Sequence, residues 1–370
     1  MKNLPLYQRI FEHYYEKIMN GQLKEGDKLH TDKEIMEIFY VSRITANAAV
    51  QMLVERGLVE RFPGKGTFVT KNPKHKIIET ETKVIGVILC DLDASFGLDL
   101  FKGIEKEAEE RNIHILFRRS FENVDLENKA INSMVDLGVS GIIIQMTHGE
   151  TYSEEILKLH LNGLPFVLID RHMDKTRVPF VTTDNKGSTA RMTSFLMEND
   201  YKNIAFISAS TDQTSTLNCR HEGFKSVYKS SKNYALLNLK TPEIRERNKE
   251  LIQADRDLIK EHLLKFPEID CVFAAEFFVA MLVKDVVEEM GKNIPNDIGI
   301  VCFDSDNSEA ETPFFTHIRQ NQTEMGRLAV KKIESIFTED NKYSYSSLLM
   351  GEIVIRSSVK LKEKEKNEKI

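Results

Sequence analysis

The sequence predicts two kinds of structure in one chain: a small, mainly helical head that ends in a β-hairpin, and a larger α/β body of two doubly wound parallel sheets. Three observations carry this. Residues 31–70 pass through two short helical patterns into two alternating strands around a glycine-rich tip. From Val84 onward, short apolar runs alternate with amphipathic stretches, the rhythm of a parallel sheet covered on both faces by helices. That rhythm then runs a second time, so the body divides into two subdomains.

In the head, Leu6 opens a helix whose apolar face is Tyr7, Ile10, Phe11, Tyr14 and Ile18; Asn20-Gly21 ends it. Gly26-Asp27-Lys28-Leu29 turns the chain into a second helix, where Ile35, Ile38 and Phe39 recur at i, i+3 and i+4. Ser42 can cap a third helix, because its hydroxyl accepts one of the first orphan N–H groups. The cap puts Arg43, Thr45 and Asn47 in the first turns, with Ala48, Ala49, Met52 and Leu53 as the buried face. Val59–Phe62 and Thr67–Thr70 alternate as strands about Pro63-Gly64-Lys65-Gly66. Helix, turn, helix, helix, hairpin is the pattern of a winged helix-turn-helix: a recognition helix for the major groove and a basic wing tip. Residues 71–82 are polar and contain a proline, and read as a linker.

The body takes residues 83–360. Expected strands are 84–90, 114–117, 141–144, 166–170, 204–207, 234–238, 271–275 and 298–303. Expected helices are 97–112, 128–137, 154–161, 186–199, 218–230, 255–265, 279–290 and 325–337. The first subdomain is expected at about 83–181 and 319–340, the second at about 182–318 and 341–360. Residues 361–370 form a charged, solvated tail. Two such halves would collect their loops around a ligand cleft at the strands' C-terminal ends.

Bulk properties exclude several classes. The net charge of −6 argues against a surface that coats nucleic acid. The charge is uneven: residues 1–76 hold 13 Lys/Arg against 9 Asp/Glu, and residues 77–370 hold 38 against 48. A basic head on an acidic body fits a single DNA-binding face. Cys90, Cys219, Cys271 and Cys302 are far apart and beside apolar segments, as buried thiols of a reducing compartment would be. The N-terminus has no apolar signal core and no run is long enough for a membrane span, so the expected location is cytoplasmic. His148, His172 and His221 are scattered, and no metal or cofactor is expected. There is no GxSxG, HExxH, P-loop or post-strand GxGxxG, which argues against an enzyme.

Specific words then point to families. Pro5-Leu6-Tyr7, Gly21–Leu29, Val41-Ser42-Arg43-Ile44-Thr45, Leu53–Val59 and Gly64–Val69 resemble the GntR family of bacterial regulators. The resemblance implies DNA contacts from Thr31 and Lys33, from Ser42, Arg43, Thr45 and Asn47, and from the wing tip at Lys65 and Gly66. It departs where the family usually has a second arginine, here Asn47, and a Pro-Ser-Glu, here His30-Thr31-Asp32. An asparagine can still read an adenine edge. Residues 83–360 resemble the sensor domain of LacI/GalR regulators, whose fold is that of periplasmic sugar-binding proteins. The words are Pro165–Arg171, Val181–Asn185, Asn203–Ile207, Arg220–Phe224, Ile294–Asp304, Thr316–Gln320, Met325-Gly326 and Ile355–Ser358. The combination resembles the arabinose-repressor subgroup.

By that resemblance the effector contacts fall on Asp93, Ser95 and Phe96 after the first strand, then Asp170, Arg171, Arg220, Glu276, Phe277, Asp304 and Gln320. Guanidinium forks, carboxylates, an amide and an aromatic face suit a polyol. Glu276-Phe277 replaces the family's usual Asn-Asp. The expectation is a repressor of carbohydrate-utilisation genes, a homodimer on pseudo-palindromic double-stranded operator DNA, controlled by a small sugar such as arabinose. A nucleobase or an amino-acid derivative in the same architecture is the open alternative; a solute-binding protein or an enzyme fits less of the chain.

Overall fold

The structure is a computed structural model. It describes residues 6–55, 57–70, 83–147, 154–162, 164–173, 176, 178–209, 214–229, 236–239, 249–305, 314–337 and 345–362. The expected linker at 71–82, His148 and the tail from 363 lie outside the described residues. The chain divides into two compact units, Met1–Thr82 and Lys83–Ile370.

The head holds α1 (Leu6–Met19), α2 (Asp32–Phe39), α3 (Arg43–Glu55) and an antiparallel hairpin of β1 (Val59–Phe62) and β2 (Gly66–Val69). Ile10, Phe11, Tyr14, Leu29, Ile35, Ala46, Ala49, Val50 and Leu53 are buried together. Helix α2 starts at a capping box: Thr31 Oγ1 accepts from Glu34 N–H, and Glu34 reaches back to Thr31 N–H at 2.7 Å. Two expectations shift by one helical position. Ile38 is exposed, and α3 buries Ala46 and Val50 while Ala48 and Met52 are half-buried. The second helix is only eight residues long, so its buried stripe is a single file through Ile35.

The body holds two six-stranded sheets. The first comprises β3 (Lys83–Leu89), β4 (Ile113–Arg119), β5 (Gly141–Ile144), β6 (Phe166–Ile169), β7 (Phe180–Thr183) and β13 (Ser346–Leu349), ordered β13-β7-β6-β5-β3-β4. The second comprises β8 (Ile204–Ser208), β9 (Leu236–Asn238), β10 (Cys271–Ala274), β11 (Gly299–Phe303), β12 (Thr316–Arg319) and β14 (Glu352–Val354), ordered β14-β12-β11-β10-β8-β9. Every pairing is parallel except β12 with β14. The orders superimpose strand for strand, so β3 answers to β8, β5 to β10 and β6 to β11.

Helices α4 (Leu98–Glu110), α5 (Val124–Asp136), α6 (Glu154–Asn162) and α11 (Gln322–Phe337) belong to the first half; α7 (Asn185–Glu198), α8 (Ser215–Val227), α9 (Lys249–Lys265) and α10 (Phe277–Glu289) to the second. Each sheet separates two apolar clusters, one per face. The central strands β5, β6, β10 and β11 are buried along their whole length, as parallel strands covered on both faces must be. Helices α4 and α11 approach closely at glycines: a Cβ on Gly103 would overlap the carbonyl of Thr323.

The chain passes between the halves after β7, after β12 and between β13 and β14. The last crossing corrects the expected boundary. Residues 346–349, expected in the second subdomain, extend the first sheet by pairing with Phe180–Thr183; the second sheet regains the chain only at Glu352.

Candidate functional site

The head exposes one set of polar residues. Ser42 Oγ accepts from Thr45 N–H at 3.3 Å and so caps α3, which leaves Arg43 in the first turn, exposed. Lys33, Ser42 and Lys65 are exposed as well, whereas Thr45 and Gly66 are half-buried. Thr31 is exposed but spends its side chain on the capping box. Asn47 is exposed and its carbonyl oxygen accepts from Arg61 at 2.9 Å; the other arm of the same guanidinium reaches Asp32 at 2.8 Å. Arg61, on the wing strand, was not among the sequence-predicted residues. Its spacing to Asn47 is set by the hairpin's return, which has no periodic signature.

In the body, a cavity of about 170 Å³ opens where the C-terminal ends of both sheets meet. This is the switch point of each doubly wound half, where adjacent loops diverge and leave a crevice. Of the expected residues, Ser95, Phe96, Asp170, Arg220, Glu276, Phe277, Asp304 and Gln320 line it. Cys90, Asp91, Phe121, Glu122, Gln145 and Thr216 also line it.

Two expected residues do not, and both are corrected by their partners. Asp93 folds its carboxylate onto its own loop, accepting from Ser95 N–H at 2.8 Å, Ser95 Oγ–H at 2.5 Å and Phe96 N–H at 2.9 Å. It shapes the loop that carries Phe96. The loop's far end is gripped by Gln322, which accepts from Gly97 N–H and donates to Ser95 O, both at 2.9 Å. Arg171 is not among the lining residues: it makes a two-armed pair with Glu122 at 2.8 and 3.1 Å, stands 3.9 Å from Asp170, and donates also to Met146 O at 2.5 Å.

Backbone geometry sets the cavity apart. Among the described residues, seven other than glycine have positive φ, and four of them line this cavity: Phe121 (52°), Glu122 (55°), Asp170 (67°) and Asp304 (60°). Left-handed backbone away from glycine is disfavoured and tends to cluster where a side chain must be aimed. Asp170 follows β6 and its N–H donates to Val181 O at 2.9 Å; Asp304 follows β11 and its N–H donates to Ile318 O at 2.9 Å. The two are the same position in the two halves.

Neutral amides hold both carboxylates. Gln145 Nε2 donates to Asp170 at 3.0 Å, and Gln320 Nε2 to Asp304 at 2.7 Å. Gln320 Oε1 accepts from Thr183 Oγ1 at 2.6 Å, which ties two inter-subdomain crossings together. Arg220, buried on α8, lies 3.7 Å above the Phe303 ring, and donates to Asn185 at 2.8 Å and Ala275 O at 2.7 Å. Burial foremost, then neighbouring Asp170, push the Asp304 carboxyl up to about 7 against the pull of Arg220 and Gln320. Phe277 packs edge-on against Phe315 while one side lines the cavity. The arrangement can bind a small hydroxylated molecule: polar groups at several heights and apolar rings for the C–H faces. It has no grouping of three or more candidate metal ligands among the described residues.

Comparison with known proteins agrees with both units. Residues 82–345 match the family described as periplasmic binding proteins and sugar binding domain of LacI family, and residues 6–69 match the bacterial regulatory proteins of the gntR family. The arabinose metabolism transcriptional repressor of Geobacillus stearothermophilus is 24% identical over 366 residues, covering 97% of this chain and 99% of that one. A ribose operon repressor of Halalkalibacterium halodurans is 25% identical over 89% of this chain and 92% of its own length. Among solved structures, the transcription regulator CcpA of Lactococcus lactis matches with a TM-score of 0.65 at 20% identity, over 75% of this chain and all of that one. A LacI family regulator from Enterococcus faecium with bound ribose matches with a TM-score of 0.61 at 23% identity, over 75% and 98%. These structural likenesses concern the fold.

Proposed function

This chain belongs to the family of periplasmic binding proteins and LacI-type sugar-binding domains and carries a GntR head, and we propose that it is a repressor of carbohydrate-utilisation genes whose operator affinity is set by a small carbohydrate. The observation that supports this best is the pairing, in one chain, of an exposed recognition helix with a cavity at the switch points of two sensor halves. Full-length relatives named as sugar-operon repressors support it as well. The protein acts in the cytoplasm as a homodimer. No helix among the described residues is long and apolar enough to cross a membrane.

On the DNA, Arg43 reads a base edge from the start of α3, where a bidentate fork onto guanine contributes about 1–3 kcal/mol of discrimination. Asn47 acts beside it, its amide N–H groups turned to bases while Arg61 holds its oxygen. Lys33 and Lys65 contact phosphates, Ser42 and Thr45 brace the first turn, Gly66 brings its backbone near the duplex, and Thr31 sets the DNA-facing start of α2 through its capping box. In the sensor, Asp170, Arg220, Glu276, Asp304 and Gln320 hold the effector's polar groups, Ser95 adds a hydroxyl, and Phe96 and Phe277 cover its C–H faces. Closure around the effector couples to the heads by about 1–3 kcal/mol.

The test is selection of binding sequences from random duplexes by the purified chain, followed by titration with sugars, arabinose and ribose first. A pseudo-palindromic site released by a sugar is expected, and Arg43→Ala should lose that site while still binding the sugar. Failure to select any sequence would overturn the regulator reading; a selected site released only by a nucleobase or an amino acid would overturn the carbohydrate.

A further inference from the structure

Two apolar side chains of the head stand where burial cannot explain them. Among the described residues, Tyr40 (93% exposed) and Ile44 (83%) are the most exposed large apolar residues of the chain, ahead of Leu137 at 66%. Single exposed apolar side chains are ordinary on a protein surface. These two coincide: they flank Ser42 and Arg43, the cap and the first residue of α3.

The exposed side chains described on α3 are Arg43, Ile44, Asn47 and Gln51. Spacings of three and four place them in one stripe, opposite the buried Ala46, Ala49, Val50 and Leu53. Arg, Asn and Gln can all hydrogen-bond the edge of a base pair. Ile44 offers only methyl groups, and a branched Cβ makes it a poorer helix former than Ala or Leu. Neither packing nor helix propensity accounts for it at this position. Tyr40 closes α2 with φ 53° and ψ 49°, left-handed backbone that favours glycine or asparagine. An aromatic residue is held there against its local preference, with almost none of its ring buried.

We propose that Ile44 reads the C5 methyl of a thymine in the major groove, while Tyr40 lies on the sugar-phosphate backbone at the entrance of α3. This rests on the DNA-binding reading of the head and names a base that its recognition helix takes. The N-terminal residues of a recognition helix reach base edges. The thymine methyl is the distinctive apolar feature that a base pair presents in that groove. Ile44 precedes Asn47 by three residues, about 4.5 Å along the helix axis. Base pairs stack at about 3.4 Å, so the thymine lies within roughly two base pairs of the base that Asn47 reads. The Tyr40 hydroxyl donates to a phosphate oxygen, a contact that carries no sequence information.

The full-length chain is tested on the operator it selects from random duplexes, remade with deoxyuridine in place of thymine at one position of each half-site at a time. Uracil keeps the hydrogen-bonding groups of thymine and lacks only the methyl. At one position the exchange should weaken wild-type binding about fourfold per half-site, the worth of one buried methyl group. Ile44→Ala should lose a similar factor on the thymine operator and nothing further on the uracil one, with its melting temperature kept. Tyr40→Gly should leave the melting temperature unchanged or higher, yet weaken binding to every sequence alike; unchanged affinity removes Tyr40 from the backbone. If uracil weakens wild type and Ile44→Ala equally, or no thymine methyl matters, the contact is overturned and the operator stands. Weaker binding by Ile44→Ala that tracks loss of the dimer in sedimentation assigns Ile44 to a contact between two heads and overturns it too. Failure to select any sequence overturns the contact together with the regulator reading.

Discussion

Removing the Arg171 guanidinium is the sharpest test of how the cavity wall is built. Its side chain is 6% exposed and that of its partner Glu122 is 13% exposed, so the pair is almost wholly desolvated. Breaking a buried pair by deleting one member typically costs about 3–5 kcal/mol, because the survivor keeps its desolvation without its partner. Arg171→Met also takes the guanidinium donor from Met146 O, which keeps only the weak Cys90 thiol at 3.4 Å. Glu122 lines the cavity and can recruit water there, which places the loss near the lower end, about 3 kcal/mol. For a body of this size, about 2–4 °C per kcal/mol makes that a fall in Tm of roughly 6–12 °C.

Urea and thermal melts of Arg171→Met, Glu122→Gln and the double variant give the coupling directly. The double variant should recover at least 1.5 kcal/mol relative to Arg171→Met alone, since a neutral amide no longer pays for burial of a lone charge. A loss below about 1 kcal/mol, or no recovery in the double variant, would refute the assignment of Arg171 to the wall. If Arg171 instead touched the effector, the single variant would keep its stability and lose ligand affinity.

Three further outcomes are expected. Asp304 has its folded-state pKa raised to about 7, above its ordinary value of 3.8, so the folded chain holds that proton more tightly than the unfolded one. Its contribution is full at low pH and is lost as pH rises from about 4 to about 7; Asp304→Asn should flatten the decline of Tm across that window, and an unchanged pH profile would contradict it. Gly103→Ala, where a Cβ would overlap Thr323 O between α4 and α11, should cost about 1–3 kcal/mol by overpacking, read from the urea midpoint. Thr31→Ala removes the capping box of α2 and should lower the stability of the head by about 1 kcal/mol; Thr31→Ser, which keeps the hydroxyl, should restore most of it.

The parts legible from sequence are those whose signal is local. The buried central strands announce themselves as unbroken apolar runs such as Phe166–Ile169 and Cys271–Ala274, and the head's turns announce themselves through glycine and capping residues. What escaped was the set of short strands β7, β12, β13 and β14. They carry Thr, Ser, His and Glu: β13 and β14 are sheet edges, where an apolar run is not required, and β7 and β12 are interior but bury polar groups that find partners, as Thr183 Oγ1 does on Gln320 and His317 on Phe315 O. Their identity is conferred by partners far along the chain, as when Ser346–Leu349 finds Phe180–Thr183. Those strands make the crossings between halves, so the missed elements are the ones that decide which half each segment joins.

The cavity shows the same division. Asp170 and Asp304 were within reach because both halves spell the same word, an apolar run ending in aspartate: Val167-Leu-Ile-Asp170 and Val301-Cys-Phe-Asp304. Gln145 was reachable too, since it directly follows Gly141–Ile144 at the end where a parallel sheet presents its ligands. Arg171 and Glu122 were not. The left-handed turn at Asp170 returns Arg171 N–H to Ile169 O at 2.8 Å. A motif places Asp and Arg together in sequence; Asp170 lines the cavity, whereas Arg171, 3.9 Å from that carboxylate, is not among the lining residues and pairs with Glu122. Glu122 then pairs with Arg171, 49 residues along the chain, although Arg118 and Arg119 stand nearer in sequence. A ligand set transferred along the chain by resemblance therefore needs the backbone sign at each position before a side chain is assigned to the cavity: here Asp170 lines it and Arg171 does not.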